Sequence, residues 1–395
     1  DYIKPTPATW PQADFIIGNP PFIGASRMRE ALGDGYTEAL RAAYPRIPQS
    51  ADFVMYWWDK AALAARGWKP GADKTRAKGT RRFGLITTNS LRQTFNRKVL
   101  EPHLTDPKMP LSLTFAIPDH PWVDAGDGAA VRIAMTVAEA GRTPGRLLTV
   151  THEAKGEAEA EGRPVTFQIE KGKIFANLRI GADVAGAVPL RANQKLTFMG
   201  MKLHGAGFIL SHEEAKQLGL GLDPRIEKVV RPYLNGRDLS QSPRGLFAID
   251  LYPLSVSEVQ TNFPQIFQIV LDRVKPERDQ NNEPWRKQHW WWFGRTHEDL
   301  RAATADVHRV IGTTRTAKHR LFSFIGSEVV AESKIVVVGL DEGWFLSVLS
   351  SRLHEVFSLA AGGWLGVGND PTYNHTDCFD PFPFPDPTED QKARL

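Results

Sequence analysis

Four consecutive residues, Asn19-Pro20-Pro21-Phe22, carry the clearest chemistry in this sequence. The two prolines fix φ and remove two backbone donors. That leaves the Pro20 carbonyl free to face a cleft, one residue from the Asn19 side-chain oxygen. Both oxygens can accept from one exocyclic amino group. Two accepted bonds draw that NH2 toward sp3 character and make its lone pair a nucleophile. The Phe22 ring offers a face on which a flat heterocycle can stack. A base held this way must first leave the duplex. Pro-Pro-aromatic turns also serve as plain chain reversals, so the motif gains its weight from its surroundings.

Those surroundings are a strand and a sheet. Residues 13–18, Ala-Asp-Phe-Ile-Ile-Gly, read as a short buried strand that ends in the Pro-Pro turn. The tetrapeptide then sits at a carboxyl end of the sheet, where open α/β folds bind ligands. Residues 50–66 read as a helix, capped by Ser50, with Phe53, Tyr56, Trp57, Ala61 and Leu63 on an apolar face. A basic, glycine-containing loop follows from Lys69 to Arg82. Phe83–Thr88 is a second strand, and Asn89 and Ser90 open a helix that runs to about His103. Leu111–Ile117 and Val131–Glu139 are further strands. This order suits a parallel sheet with crossover helices. The last two strands, joined by a loop holding His120, Trp122, Asp124 and Gly126, suit a hairpin closing the sheet edge.

After Gly141 the character changes. Short strands at about 147–180 flank a charged stretch from Glu153 to Gly162 and form a β-rich connector. The expected layout is a catalytic part at 1–141 and a recognition region at 142–395.

Composition bounds the partners. The 395 residues, 42% hydrophobic and 24% charged, bury a core readily. The formal charge is +4 and the sequence pI about 9.0, which permits a nucleic-acid partner without demanding one. No apolar run approaches the ~20 residues of a membrane span. No charged n-region precedes an apolar h-region. The single cysteine, Cys378, forms neither an internal disulfide nor a cysteine-based zinc site, and a cytoplasmic location follows. Cys378 lacks a preceding proline, which argues against C5-cytosine chemistry and its cysteine nucleophile. The histidines show no metal-ligand spacing, and no metal is expected. Pro118-Asp119 and Glu332-Ser333-Lys334 could in principle assemble a nuclease site, but they lie in different expected domains and read as loop and strand-edge residues.

Asp14-Phe-Ile-Ile-Gly-Asn-Pro-Pro-Phe22 resembles motif IV of the amino-methyltransferases that act on DNA. Phe83–Leu91 is similar to the strand-to-helix segment that follows it, and Asp119–Gly126 leading into Val131–Val137 to the closing hairpin. Val230–Leu239 and Phe379–Pro385 resemble target-recognition segments of large single-chain adenine methyltransferases of restriction-modification and phage-defence systems. The resemblance implies a partial class I (Rossmann-like) α/β methyltransferase sheet followed by a mixed α+β target-recognition domain. It implies S-adenosylmethionine as donor and direct transfer to adenine N6. Asn19 and Pro20 would hold the amino group, Phe22 would stack on the base, Pro21 would shape the turn, and Asn19 would also border the donor. Double-stranded DNA is the expected partner, with a nuclease domain or subunit upstream or in trans.

The family's glycine-rich donor loop would precede motif IV, upstream of Asp1, and is not in this sequence. Gly362–Gly368 follows a helical stretch (Trp344 to Leu359), not a strand, and does not replace it. The chain is therefore expected to be N-terminally truncated and inactive alone.

In the second half, Thr313–Arg320 interleaves hydroxyls and cations, and Arg315, Lys318, His319 and Arg320 are expected to meet DNA. Trp364 and Asn369, in a glycine-rich loop, join them. The Trp-rich run Gln288–Phe293 is expected in the core, and Phe379–Pro385 is expected to pack back on the catalytic domain. The alternatives are an N4-cytosine, RNA or protein-glutamine methyltransferase, and a DNA-binding specificity module without activity of its own.

Overall fold

The computed structural model describes residues 2–67, 79–122, 132–153, 164–182, 184, 186–365 and 370–394. Most of the Lys69–Arg82 loop, Asp124, Gly126, most of the charged stretch after Glu153 and Asn369 lie outside the described residues. The chain forms two compact units, one spanning Asp1–Gly186 and the other Ala187–Leu365 with Asp370–Leu395.

The first unit contains strands β1 (Phe15–Gly18), β2 (Arg82–Thr88), β3 (Leu111–Pro121), β4 (Arg132–Ala140), β5 (Gly145–Glu153) and β6 (Val165–Gly172). Its helices are α1 (Met28–Leu32), α2 (Asp34–Ala43), α3 (Val54–Arg66) and α4 (Thr94–Leu104). The six strands form one sheet in the order β1-β2-β4-β3-β5-β6. β1 runs parallel to β2, as the strand–helix–strand pattern requires.

The β3–β4 hairpin does not close the sheet edge. β4 inserts between β2 and β3; β5 then pairs in parallel with β3, and β6 antiparallel with β5. The reason is legible in β4 itself: Ile133, Ala134, Thr136 and Ala138 are buried, so both of its faces are covered and it is an interior strand. The 147–180 segment thus extends the first unit's sheet. Gly145 permits this, because a Cβ there would stand 2.1 Å from the Leu113 carbonyl oxygen.

α3 forms the middle of this core. Val54, Trp58, Ala61, Ala62 and Ala65 recur at helical spacing and are buried. Leu63, grouped with that face from the sequence, instead points outward and is 43% exposed. Trp58 meets Phe83 of β2 edge-on at 5.3 Å, and its indole N–H donates to Thr136 Oγ1 of β4 at 3.3 Å. On its other side, α3 is tied to α4 by Asp59, which accepts from His103 Nε2 at 2.8 Å and from Arg46 at 2.5 Å. Burial raises the Asp59 pKa, but these two partners outweigh it and hold the carboxyl below its ordinary value.

In the second unit, β7 (Thr197–Met199), β8 (Ile209–Leu210), β9 (Val230–Leu234), β10 (Leu246–Ile249), β11 (Arg309–Thr314), β12 (Phe322–Gly326), β13 (Val330–Ala331) and β14 (Ile335–Val338) make two four-stranded sheets. Their orders are β13-β9-β10-β8 and β12-β11-β14-β7. A small ladder joins β15 (Gly363–Leu365) to β16 (Asp370–Thr372), and short helices fill the connections. Trp290, Trp291 and Phe293 are buried in this unit's core, and the indoles of Trp291 and Trp292 both donate to the Leu254 carbonyl.

Phe379–Pro385, expected on the catalytic part, belongs to this second unit and packs into its core. Phe379 and Phe382 are buried, and Phe379 joins a cluster with Ile311, Val336 and Tyr373. The Asn193 amide donates to the carbonyls of Phe379, Asp380 and Phe382 at 2.8–3.2 Å. That clamp satisfies carbonyls of the turn that follows the helix His375–Cys378.

Candidate functional site

Asn19 leaves β1 at the carboxyl end of the β1–β2 pair. Its side chain is exposed, Pro20 is buried, Pro21 exposed and Phe22 half-buried. Among the described residues, neither the Asn19 amide nor the Pro20 carbonyl has a hydrogen-bond partner. Both acceptors are therefore unpartnered, the second of them on a buried residue. Phe22 keeps part of its ring accessible beside them.

The exit of this loop is held by a polar cluster that the sequence does not advertise. Phe53 N donates to the Ile23 carbonyl at 2.9 Å. The neighbouring Asp52 carboxylate, 8% exposed, accepts from Ala25 N at 3.1 Å, Ser90 Oγ at 2.6 Å and Asn96 Nδ2 at 2.8 Å. Asn96 Oδ1 accepts in return from Asp52 N at 3.0 Å, and Ser90 Oγ lies 2.5 Å from Thr88 Oγ1. One carboxylate thus joins the segment after Phe22, the turn after β2 and the start of α4. A buried charge is tolerated only with such saturation. Asp52 could have been suspected only as an acid at the head of a helix. Asn96 has no sequence signal.

Along the same end of the sheet, Asn89 Nδ2 donates to Asp119 Oδ1 at 3.2 Å. Asp119 also takes Arg132 at 2.6 Å and faces Arg92 at 3.6 Å, and Arg132 reaches Glu153 at 2.6 Å. The Glu153 bond, more than the Asp119 bond, keeps the Arg132 guanidinium above its ordinary pKa despite burial.

Beside the tetrapeptide, β1 turns an apolar face outward: Phe15 is 55% and Ile17 89% exposed. Among the described residues, no Gly-x-Gly loop joins a parallel strand to a helix next to Asn19. Gly362 follows the helix Arg352–Ala361.

In the second unit, Arg315, Lys318 and His319 are exposed on the β11–β12 connection. Thr313 and Thr314 are buried within β11. Arg320 turns inward: its guanidinium donates to the carbonyls of Thr314 at 2.7 Å and Pro371 at 3.3 Å and lies 4.9 Å from the Tyr373 ring. Burial lowers its pKa. It ties the connection to β16, leaving Arg315, Lys318 and His319 outward. Trp364 lies in β15. Asp238 pairs with Arg244 at 2.7 Å, not with Arg237, and completes a capping box with Asn235. Glu332 accepts from Ser333 Oγ and Lys334 N and so closes its own turn. Asp119 belongs to the other unit.

Comparison with known proteins matches both units. The family described as MmeI, DNA-methyltransferase domain, matches residues 2–148. The family described as MmeI, target recognition domain, matches residues 185–386. A solved structure of the type IIL restriction-modification enzyme MmeI in complex with DNA is similar at TM-score 0.71 and 20% identity, over 96% of this chain and 47% of that one. This chain therefore spans about half the length of that protein. The type IIG restriction endonuclease BpuSI aligns over 92% of this chain and 46% of its own, at 10% identity and a TM-score of 0.29. No curated protein matches.

Proposed function

We propose that this chain, which belongs to the MmeI family of joined DNA-methyltransferase and target recognition domains, methylates the N6 amino group of a flipped-out adenine in duplex DNA. The observation that carries the reading is the pair of unpartnered acceptors, Asn19 Oδ1 and the Pro20 carbonyl, at the carboxyl end of β1 beside a half-exposed Phe22. Those two oxygens fix an exocyclic NH2 from two sides. An amino group that donates both hydrogens presents its lone pair away from the acceptors. Phe22 stacks on the ring, which supplies the unstacking cost of extrusion in part. Asn at position 19 in place of Ser favours adenine over cytosine N4.

S-adenosylmethionine, when bound, supplies the methyl group. Asn19 fits beside it, but the residues present form only part of such a pocket. We place the remainder in polypeptide outside residues 1–395, covering the exposed Phe15 and Ile17. Residues 1–395 alone are then poor at donor binding and inactive. The second unit reads the target through Arg315, Lys318 and His319, with Trp364 and Asn369 as further contacts and Arg320 setting the loop that carries them. Nuclease activity, where the enzyme has it, belongs to a domain or subunit outside this chain, as suits a restriction-modification system.

The test is methyl transfer from labelled S-adenosylmethionine to unmethylated duplex DNA, using the chain within its longer natural protein. Label on adenine N6 that is lost in Asn19→Ala supports the proposal. Label on cytosine, RNA or protein overturns it. DNA binding without any transfer favours a specificity module.

A further inference from the structure

We propose that a cleft in the first unit, separate from the Asn19 loop, binds a DNA backbone phosphate through Arg179, with Arg92 and Arg132 behind it. The proposal rests on duplex DNA being the substrate. The cleft measures about 350 Å³ and is lined by Arg92, Asp119, Arg132, Glu170, Asn177 and Arg179, among others. It opens at the same end of the sheet as Asn19. β3 and β5 run parallel to β2, so their carboxyl ends, with Asp119 and Glu153, point where Asn89 and Asn19 point. The Asn89–Asp119 bond ties the turn after β2, the strand beside β1, to the cleft wall.

The charges around the cleft match in number, three arginines to Asp119, Glu153 and Glu170, but they are not matched in pairs. Asp119 and Glu153 are taken by Arg92 and Arg132. Arg179 is exposed, and among the described residues its guanidinium has neither a carboxylate nor a hydrogen-bond partner. Glu170 lines the cleft without bonding it. Burial, with Arg179 and Arg132 adding repulsion, depresses the Arg92 pKa despite the help of Asp119. An entering anion relieves that repulsion.

The turn that presents Arg179 is built for the purpose at some cost. Leu178, fully buried, sits at φ 55° in the left-handed region. The turn is locked by Phe175 N to the Arg179 carbonyl at 2.9 Å and by Arg179 N to Asn177 Oδ1 at 3.2 Å. Strain of this kind persists where the surroundings over-determine it, and such places cluster at binding sites. A guanidinium fork matches a phosphodiester's two free oxygens.

The position sets the reach. β3 is three strands from β1 in the sheet, or roughly 14 Å at ~4.8 Å per strand. That is about four base steps at ~3.4 Å of rise. The cleft thus holds backbone away from the target base and serves as a register clamp.

The measurement is duplex binding by this chain over a range of salt, with Arg179→Gln. Loss of one phosphate contact lowers the slope of log K against log salt by about 0.9. The expected result is that drop, with Lys171→Gln, an exposed charge outside the cleft, leaving the slope where it was. In the longer protein, Arg179→Gln is expected to raise the KM for DNA and leave kcat and the KM for donor unchanged. An unaltered slope in Arg179→Gln overturns the proposal, and so does an effect confined to the donor KM, which would assign the cleft to the donor's carboxylate. If the unaltered protein binds DNA and shows the Arg179 effect but methylates something other than adenine, the clamp stands and only the reading of the base falls. Failure of the unaltered protein to bind DNA removes both.

Discussion

Removing the Asp52 carboxylate tests whether the tetrapeptide is positioned from behind. Asp52→Ala deletes three accepted bonds, from Ala25 N, Ser90 Oγ and Asn96 Nδ2. Bonds to a charged acceptor are worth about 1.5–3 kcal/mol each, but rescue is uneven. Ser90 Oγ keeps Thr88 Oγ1, and Asn96 Nδ2 keeps the Ser90 carbonyl at 2.9 Å. Ala25 N has no second acceptor among the described residues. The net loss is therefore nearer one to two bonds, about 2–4 kcal/mol. Ala25 lies three residues after Phe22, so its release frees the acceptor loop to drift. A displacement of about 1 Å at a reacting group costs on the order of 100-fold. Asp52→Asn separates the two effects. Its remaining oxygen still meets Ala25 N, while its new amide faces the Asn96 amide donor to donor. In the longer natural protein we expect Asp52→Ala to lower kcat by about 100-fold with little change in the donor KM. We expect Asp52→Asn to lose comparable stability in urea but less than about 10-fold in kcat, or ~1.4 kcal/mol of barrier. A folded Asp52→Ala protein that keeps its full kcat would refute the positioning argument. So would equal kcat losses in both variants, which would mark a merely structural effect.

Other expectations follow from single features. His354, enclosed by Phe322, Tyr373 and Phe382, has its pKa pushed down to about 3 by burial and Arg320. The unfolded chain binds that proton near pH 6.5 and the native state does not, so stability is full above pH 6.5 and declines as the pH falls toward 3. His354 should contribute about 2 kcal/mol to the fall in the second unit's stability in urea between pH 7 and pH 5, with His297, held down to about 4, adding to it, and His354→Gln should reduce the slope by that share. Gly145→Ala drives a methyl against the Leu113 carbonyl, so unfolding of the first unit should become easier by about 1–3 kcal/mol, whereas a true linker would show no change. Arg315→Ala and Lys318→Ala should each lower the salt slope of DNA binding by about 0.9. Arg320→Ala, which unties β16, should instead lower thermal stability; the reverse ranking would show that Arg320 is the contact and its neighbours are bystanders.

What the sequence determined by itself was local. The apolar run before Asn19, the double proline and the spacing to Phe83 set a strand, a turn and a parallel partner, because backbone restriction and hydrophobic period act over a few residues. Those same residues made motif IV legible, and with it the family. The Trp-rich run was recognisable as core from its density alone. Tertiary structure decided what depends on distant pairing. β4 carried its own sign of burial on both faces, yet only its partners show that it parts β2 from β3. The strands after Gly141 joined the first unit because Gly145 lets β5 reach β3, a contact no period encodes. Arg320 and its neighbours are alike as letters, and only the carbonyls of Thr314 and Pro371 turn one of them inward. Asp52 and Asn96 met across 44 residues, and Arg179 reached Arg92 by way of two further strands and a strained turn. Side chains on separate elements acquire a common function only when the sheet fixes their distance, and sheet register is set by long-range pairing, not by the local sequence.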